Sequence, residues 1–105
     1  MKAGVTLFID TSEINSVKVA VETGGKRFEK SSASRKLKSQ MVLPLIESLL
    51  TENNMKITDI TAITVAKGPG SFTGLRVGAT VANILGYLLG ISVNGNKALA
   101  IPRYS

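Results

Sequence analysis

The 105-residue sequence has no cysteine, no histidine and no tryptophan. No disulfide can staple it and no thiolate can act as a nucleophile. Without histidine it lacks the usual proton shuttle near neutral pH and a common zinc ligand. Aromatic residues make up only 5%, which leaves few faces on which nucleic-acid bases could stack. Acidic residues are also scarce, seven against thirteen basic ones, for a net charge of +6. The stretch Val77 to Val93 is nearly uncharged but shorter than the roughly 20 residues a membrane span needs. It carries Asn83 and is broken at Gly90, so it reads as a buried helix and no membrane role is expected.

What is present suffices for a core. Apolar residues reach 44% and the mean hydropathy is +0.22, so residues 1–105 read as a single domain. The absence of a cleavage-type leader at Met1-Lys2-Ala3-Gly4 and of cysteine points to the cytoplasm. The positive charge is partly local. Lys26, Arg27, Lys30, Arg35, Lys36 and Lys38 fall within thirteen positions, opposed only by Glu29. Such a stretch is either a solvated strand edge and helix start or a weak contact for a phosphate backbone.

The hydrophobic period sets out the elements. Val5 to Ile9 is a β-branched and aromatic run that ends in the polar turn Asp10-Thr11-Ser12-Glu13. Ser16 to Glu22 alternates polar and apolar, Thr23-Gly24-Gly25-Lys26 makes a hairpin turn, and Arg27 to Ser32 returns. The period then changes: Leu37, Met41, Leu45 and Leu49 recur every fourth residue, predicting a helix over Leu37–Leu50. Pro44 should bend or restart that helix, and Asn53-Asn54 should stop it. After a linker containing Ile57 and Ile60 come a strand, Ala62–Ala66, and a second helix, Phe72–Leu89. Gly90 closes that helix at C′, and a short strand follows at Ile91–Val93. The order β-β-β-α-β-α-β predicts an α/β fold. A mixed five-stranded sheet of this kind, a hairpin pair followed by helix-connected parallel strands, is the ribonuclease-H-like layout.

The segment joining the fourth strand to the second helix is the most informative in the chain. Gly68-Pro69-Gly70-Ser71 forms a glycine-bracketed turn, with Ser71 at the expected N-cap and Phe72 opening the helix. No Lys-Ser/Thr pair follows the glycines, so this is not a Walker A loop. Gly70, Gly74, Gly78, Ala82, Gly86 and Gly90 recur every four residues and form a small-residue stripe. Interior glycines cost about 1 kcal/mol each relative to alanine, so the stripe implies close backbone approach. It fits packing on the domain's own sheet or against a helix of another chain. The wide apolar arcs of both helices favour the second. That reading nominates Met41, Leu45, Leu49, Gly74, Gly78, Ala82 and Leu85 as the partner interface.

Asp10 has two readings. It either caps its own turn through the side chain or, with Thr11, Ser12, Gly68, Gly70 and Ser71, lines an anion or nucleotide site. The remaining carboxylates, Glu13, Glu47, Glu52 and Asp59, are too scattered to complete a two-metal centre.

Three separated motifs occur in order: Ile9-Asp10-Thr11-Ser12, Leu43-Pro44-Leu45-Ile46, and the run from Lys67 to Gly78. Together, over about residues 5 to 100, they resemble the TsaB (YeaZ) family, accessory proteins for threonylcarbamoyladenosine formation on tRNA. The resemblance implies an actin/Hsp70 ATPase-type ribonuclease-H-like lobe that is itself not an enzyme. Its partner would be a TsaD subunit that carries the metal and modifies adenosine 37 of tRNA, with TsaE supplying ATP hydrolysis. It further implies pairing with TsaD, or with a second copy, through the two helices. No catalytic residue, metal or cofactor is expected in this chain, though ATP or ADP at a partner interface and weak tRNA contact fit the family. Two departures stand out. Members usually carry a second, similar lobe, and the helix start here reads Lys38-Ser39-Gln40 where the family often has His-Ser-Glu. The competing expectation is a nucleotide-binding or hydrolytic domain working through Asp10 and the Gly68–Gly74 loop.

Overall fold

A computed structural model describes residues 4–33, 38–70 and 72–95. Its elements are β1 (Val5–Asp10), β2 (Ser16–Thr23), β3 (Lys26–Ala33), α1 (Lys38–Glu52), a 3-10 turn (Ile57–Asp59), β4 (Ile60–Val65), α2 (Phe72–Leu89) and β5 (Ser92–Val93). The expected element order is therefore observed. One mixed sheet runs β3-β2-β1-β4-β5. β2 is antiparallel to β1 and β3, whereas β1–β4 and β4–β5 are parallel. This is the ribonuclease-H-like sheet that the sequence predicts.

The hairpin between β2 and β3 closes at the pair Thr23–Lys26. Its two central residues, Gly24 and Gly25, have φ of +55° and +77°, the left-handed region a twisted two-residue turn requires. α1 runs through Pro44 without restarting and reaches Glu52, two residues past the predicted end. Proline removes the bond to the Gln40 carbonyl, but Gln40 and Pro44 are both exposed, so water can take that acceptor. Both helices close in the same way. Asn54 and Gly90 adopt φ of +57° and +67°. Met55 N–H and Ile91 N–H reach back to the carbonyls of Leu50 and Gly86, at 2.8 and 3.0 Å, which is the Schellman closure. Because the Ile91 amide belongs to that closure, β5 starts at Ser92 rather than Ile91. β4 begins at Ile60, two residues early. Ala66 lies beyond the strand, although its N–H still donates to the Ile9 carbonyl at 3.0 Å.

Both helices cover one face of the sheet, α1 over β2 and β3, α2 over β1, β4 and β5. Alternate strand residues meet them: Leu7 and Ile9, Val19 and Val21, Ile63 and Val65, all buried. α1 supplies Val42, Leu45, Ile46, Leu49 and Leu50; α2 supplies Leu75, Ala82 and Leu85. Burying each large side chain stabilises the fold by about 1.5–3 kcal/mol. The opposite sheet face is polar. There the Arg27 guanidinium lies 4.6 Å over the Phe8 ring and donates to Glu22 and Glu29. Among the described residues, no helix is long and apolar enough to cross a membrane.

Candidate functional site

Three features converge where β1 and β4 end and α2 begins. The first is the turn after β1. Asp10 Oδ1 accepts hydrogen bonds from the Ser12 backbone N–H at 2.9 Å and from Ser12 Oγ at 2.5 Å. This is the turn-capping reading of Asp10. Ser12 already gives both its donors to a carboxylate, so the turn does not present them to a phosphate.

The second feature is a clasp between that turn and α2. Thr11 is fully buried, and its hydroxyl donates to the Gly74 carbonyl. A β-carbon on Gly70 would stand 2.7 Å from Ser12 Cβ and 2.8 Å from the Ser12 carbonyl oxygen. One on Gly78 would come inside 3.0 Å of Thr11 Oγ1, and one on Gly86 would stand 2.6 Å from Val93 Cγ2. The small-residue stripe thus lets α2 settle on its own sheet. The loop before it has a cis bond at Gly68–Pro69 and φ of +117° at Gly68. Ser71 lies outside the described residues.

The third feature follows from the second. With its small residues against the sheet, α2 turns bulky ones outward. Leu43 of α1 and Val77, Val81 and Ile84 of α2, with Thr73, Arg76 and Thr80, line an open groove of about 480 Å³. Leu43 and Ile84 are 45% and 53% exposed, and the apolar strip continues along α2 to Tyr87 and Leu88 at 86% and 69%.

The predicted interface set is therefore corrected. Leu45, Leu49, Ala82 and Leu85 are buried in the domain's own core, Met41 is half-buried against it, and Gly74 and Gly78 face the sheet. These residues form the inner faces of the two helices. The exposed face belongs to Leu43, Ile84, Tyr87 and Leu88, which were not nominated. The signal was available in the sequence, since residues 73, 76, 80, 84 and 87 lie on the side of the helix opposite residues 74, 78, 82 and 86.

The basic stretch is partly neutralised. Arg27 bridges Glu22 and Glu29 at 2.5 and 2.8 Å, and Lys30 pairs with Glu52. The Arg27 guanidinium holds the Glu29 carboxyl below its ordinary value of 4.5, and Lys30 does the same for Glu52. Arg35 and Lys36 lie outside the described residues. No group of three or more His, Cys, Asp or Glu among the described residues is placed to hold a metal ion. A nucleotide bound at the β1 turn would meet the Asp10 carboxylate and the backbone of Gly70 against Ser12.

A family model described as TsaD, tRNA N6-adenosine threonylcarbamoyltransferase, matches residues 11–100. The chain belongs to that family, as a TsaB (YeaZ) member. It is similar to the tRNA threonylcarbamoyladenosine biosynthesis protein TsaB of Bacillus subtilis, 40% identical over 65 residues, covering 62% of this chain and 28% of that protein. The TsaB of Buchnera aphidicola from Schizaphis graminum is 32% identical over 97 residues, 92% of this chain and 46% of that protein. Among solved structures, YeaZ from Pseudomonas aeruginosa superposes with a TM-score of 0.80 at 30% identity, covering 86% of this chain and 42% of the other. The chain thus spans less than half the length of these relatives and corresponds to their N-terminal lobe.

Proposed function

We propose that this chain is a non-catalytic partner subunit in the complex that installs threonylcarbamoyl on adenosine 37 of tRNA. It docks on a TsaD-like subunit through the outer faces of α1 and α2. The observation that carries this reading is the apolar groove between the two helices, continued by Tyr87 and Leu88. Large apolar side chains held in water across two adjacent helices are characteristic of a surface that another protein covers. The TsaB names of the relatives support the pathway. TsaE, a second copy and the tRNA are secondary contacts in this reading, and the setting is the cytoplasm.

A non-catalytic role is favoured by the site chemistry. The whole sequence lacks histidine, and Asp10, the one carboxylate at the strand end, is held in its own turn. The subunit needs no cofactor of its own here. ATP or ADP, if used, belongs to a site shared with a partner.

Co-purification and light scattering of the chain with the TsaD-like subunit of the same organism test the proposal. A one-to-one heteromer is expected, and Ile84→Glu should abolish it while leaving the circular dichroism and melting temperature unchanged. Failure of the unmodified chain to form a heteromer would reject the reading. So would Mg-dependent ATP turnover by the chain alone.

A further inference from the structure

The short edge strand β5 is fastened to β4 by the residue that follows it. Asn94 N–H donates to the Ile63 carbonyl at 2.7 Å. Its side-chain amide then grips Val65 with both ends, Oδ1 accepting from the N–H at 2.8 Å and Nδ2 donating to the carbonyl at 3.2 Å. β5 itself is only two residues long, so this one side chain carries a large part of the edge. Val93 beside it is buried and stands over Gly86.

The same residue carries a latent reaction. Asn94 is the one asparagine of the chain that a glycine follows. The backbone nitrogen of the next residue can attack an asparagine side chain at Cγ, and glycine, with no β-carbon, shields that nitrogen least. Gly95 is exposed, with φ of +78°, so water reaches the peptide. The attack forms a bond from Gly95 N to Cγ and breaks the bond from Cγ to Nδ2. The Gly95 amide proton leaves with Nδ2 as ammonia, and a cyclic imide remains. Water then opens the imide. Cleavage between Gly95 N and Cγ gives aspartate; cleavage between Gly95 N and the Asn94 backbone carbonyl carbon gives isoaspartate. The net change is one water consumed and one ammonia released, with no oxidation or reduction.

We propose that Asn94-Gly95 is a deamidation site that the fold holds closed, and that its conversion marks, irreversibly, chains in which the β4–β5 edge has opened. The two bonds to Val65, 29 residues back in the chain, fix the side-chain torsions of Asn94. The swing that would bring Cγ onto the Gly95 nitrogen breaks them. The reaction therefore draws on the locally opened state. Either product lacks the Nδ2 donor, and in the aspartate form a carboxylate oxygen faces the Val65 carbonyl, acceptor against acceptor. An edge that has opened once is held less well afterwards.

The test is incubation of the full chain at one pH and temperature, folded in native buffer and unfolded in guanidinium. Peptide mass spectrometry follows every asparagine. In the unfolded chain Asn94 should convert before any other asparagine and yield both aspartate and isoaspartate. In the folded chain its conversion should be slower by about tenfold or more, because only the opened fraction reacts. Asn94→Asp, the aspartate product made directly, should melt below the unmodified chain. Equal rates in the folded and unfolded chain would overturn the gating by the fold. Earlier conversion of another asparagine in the unfolded chain would overturn the site. An Asn94→Asp chain that melts with the unmodified one would overturn the loosening of the edge.

Discussion

A β-carbon built on Gly78 falls within 3.0 Å of the Thr11 hydroxyl oxygen, a separation that real β-carbons essentially never adopt. The same hydroxyl donates to the Gly74 carbonyl one turn earlier. The end of β1 and the first turns of α2 are therefore fitted backbone to side chain. That fit places the outer face of α2 where the groove forms.

Gly78→Ala should destabilise the domain by about 1–3 kcal/mol. The gain of about 1 kcal/mol in helix propensity offsets only part of the clash. Thr11→Ala removes the obstructing oxygen, so the double variant should lose less stability than the sum of the singles. Urea denaturation of the four proteins measures this; strict additivity would show that the contact is not shared.

Asn94 continues the sheet with its side chain. Its Oδ1 accepts from the Val65 N–H at 2.8 Å, and its Nδ2 donates to the Val65 carbonyl at 3.2 Å. Asn94→Ala loses both bonds and places alanine at φ of +52°. A loss of about 2–3 kcal/mol is expected. Asn94→Gly should recover the backbone part only. Hydrogen exchange at the Val65 amide should speed up in both variants.

The acid limb of stability should involve Glu29 and Glu52. Each carboxyl has its folded-state value depressed, chiefly by a hydrogen bond from Arg27 or Lys30. A depressed carboxylate contributes stability above its unfolded value, near 4.5. That contribution is lost as pH falls through the folded one. Thermal melts between neutral and acidic pH should show a shallow decline, reduced in Glu29→Gln and Glu52→Gln and by added salt. The effect should be small because both pairs are exposed.

Ile84 and Leu85 are neighbours in sequence with opposite roles. Ile84 is 53% exposed and Leu85 7%. Ile84→Ser should change stability by no more than about 0.5 kcal/mol while weakening heteromer formation. Leu85→Ser should cost about 2–5 kcal/mol, from lost packing and a buried hydroxyl. Denaturation and co-purification read together separate the two outcomes. A destabilised Ile84→Ser would place that residue in the core.

Much of the fold was legible because it rests on period and turn chemistry. The alternation in β2, the Gly24-Gly25 turn, the four-residue recurrence in α1 and Gly90 at the end of α2 are local signals, and each element formed where they stand. The boundaries that moved did so through longer-range bonds: Ile60 was drawn into β4 beside Val5, and Ile91 into the helix closure. The site was less legible. A stripe of small residues states that something approaches closely, but not from which chain.

The sequence by itself determined the element order, the lack of thiol and imidazole chemistry, and a helix whose small and bulky residues lie on opposite sides. These follow from residue type and spacing alone. The tertiary structure decided which side of that helix is the surface. Thr11 comes from the turn after β1, far back along the chain, and Val93 from β5 just beyond α2; folding brings them against Gly78 and Gly86. Once they fill the small-residue face, Leu43, Ile84, Tyr87 and Leu88 are left in water. The same folding turns Asp10 onto Ser12 and fastens the turn to α2 through Thr11.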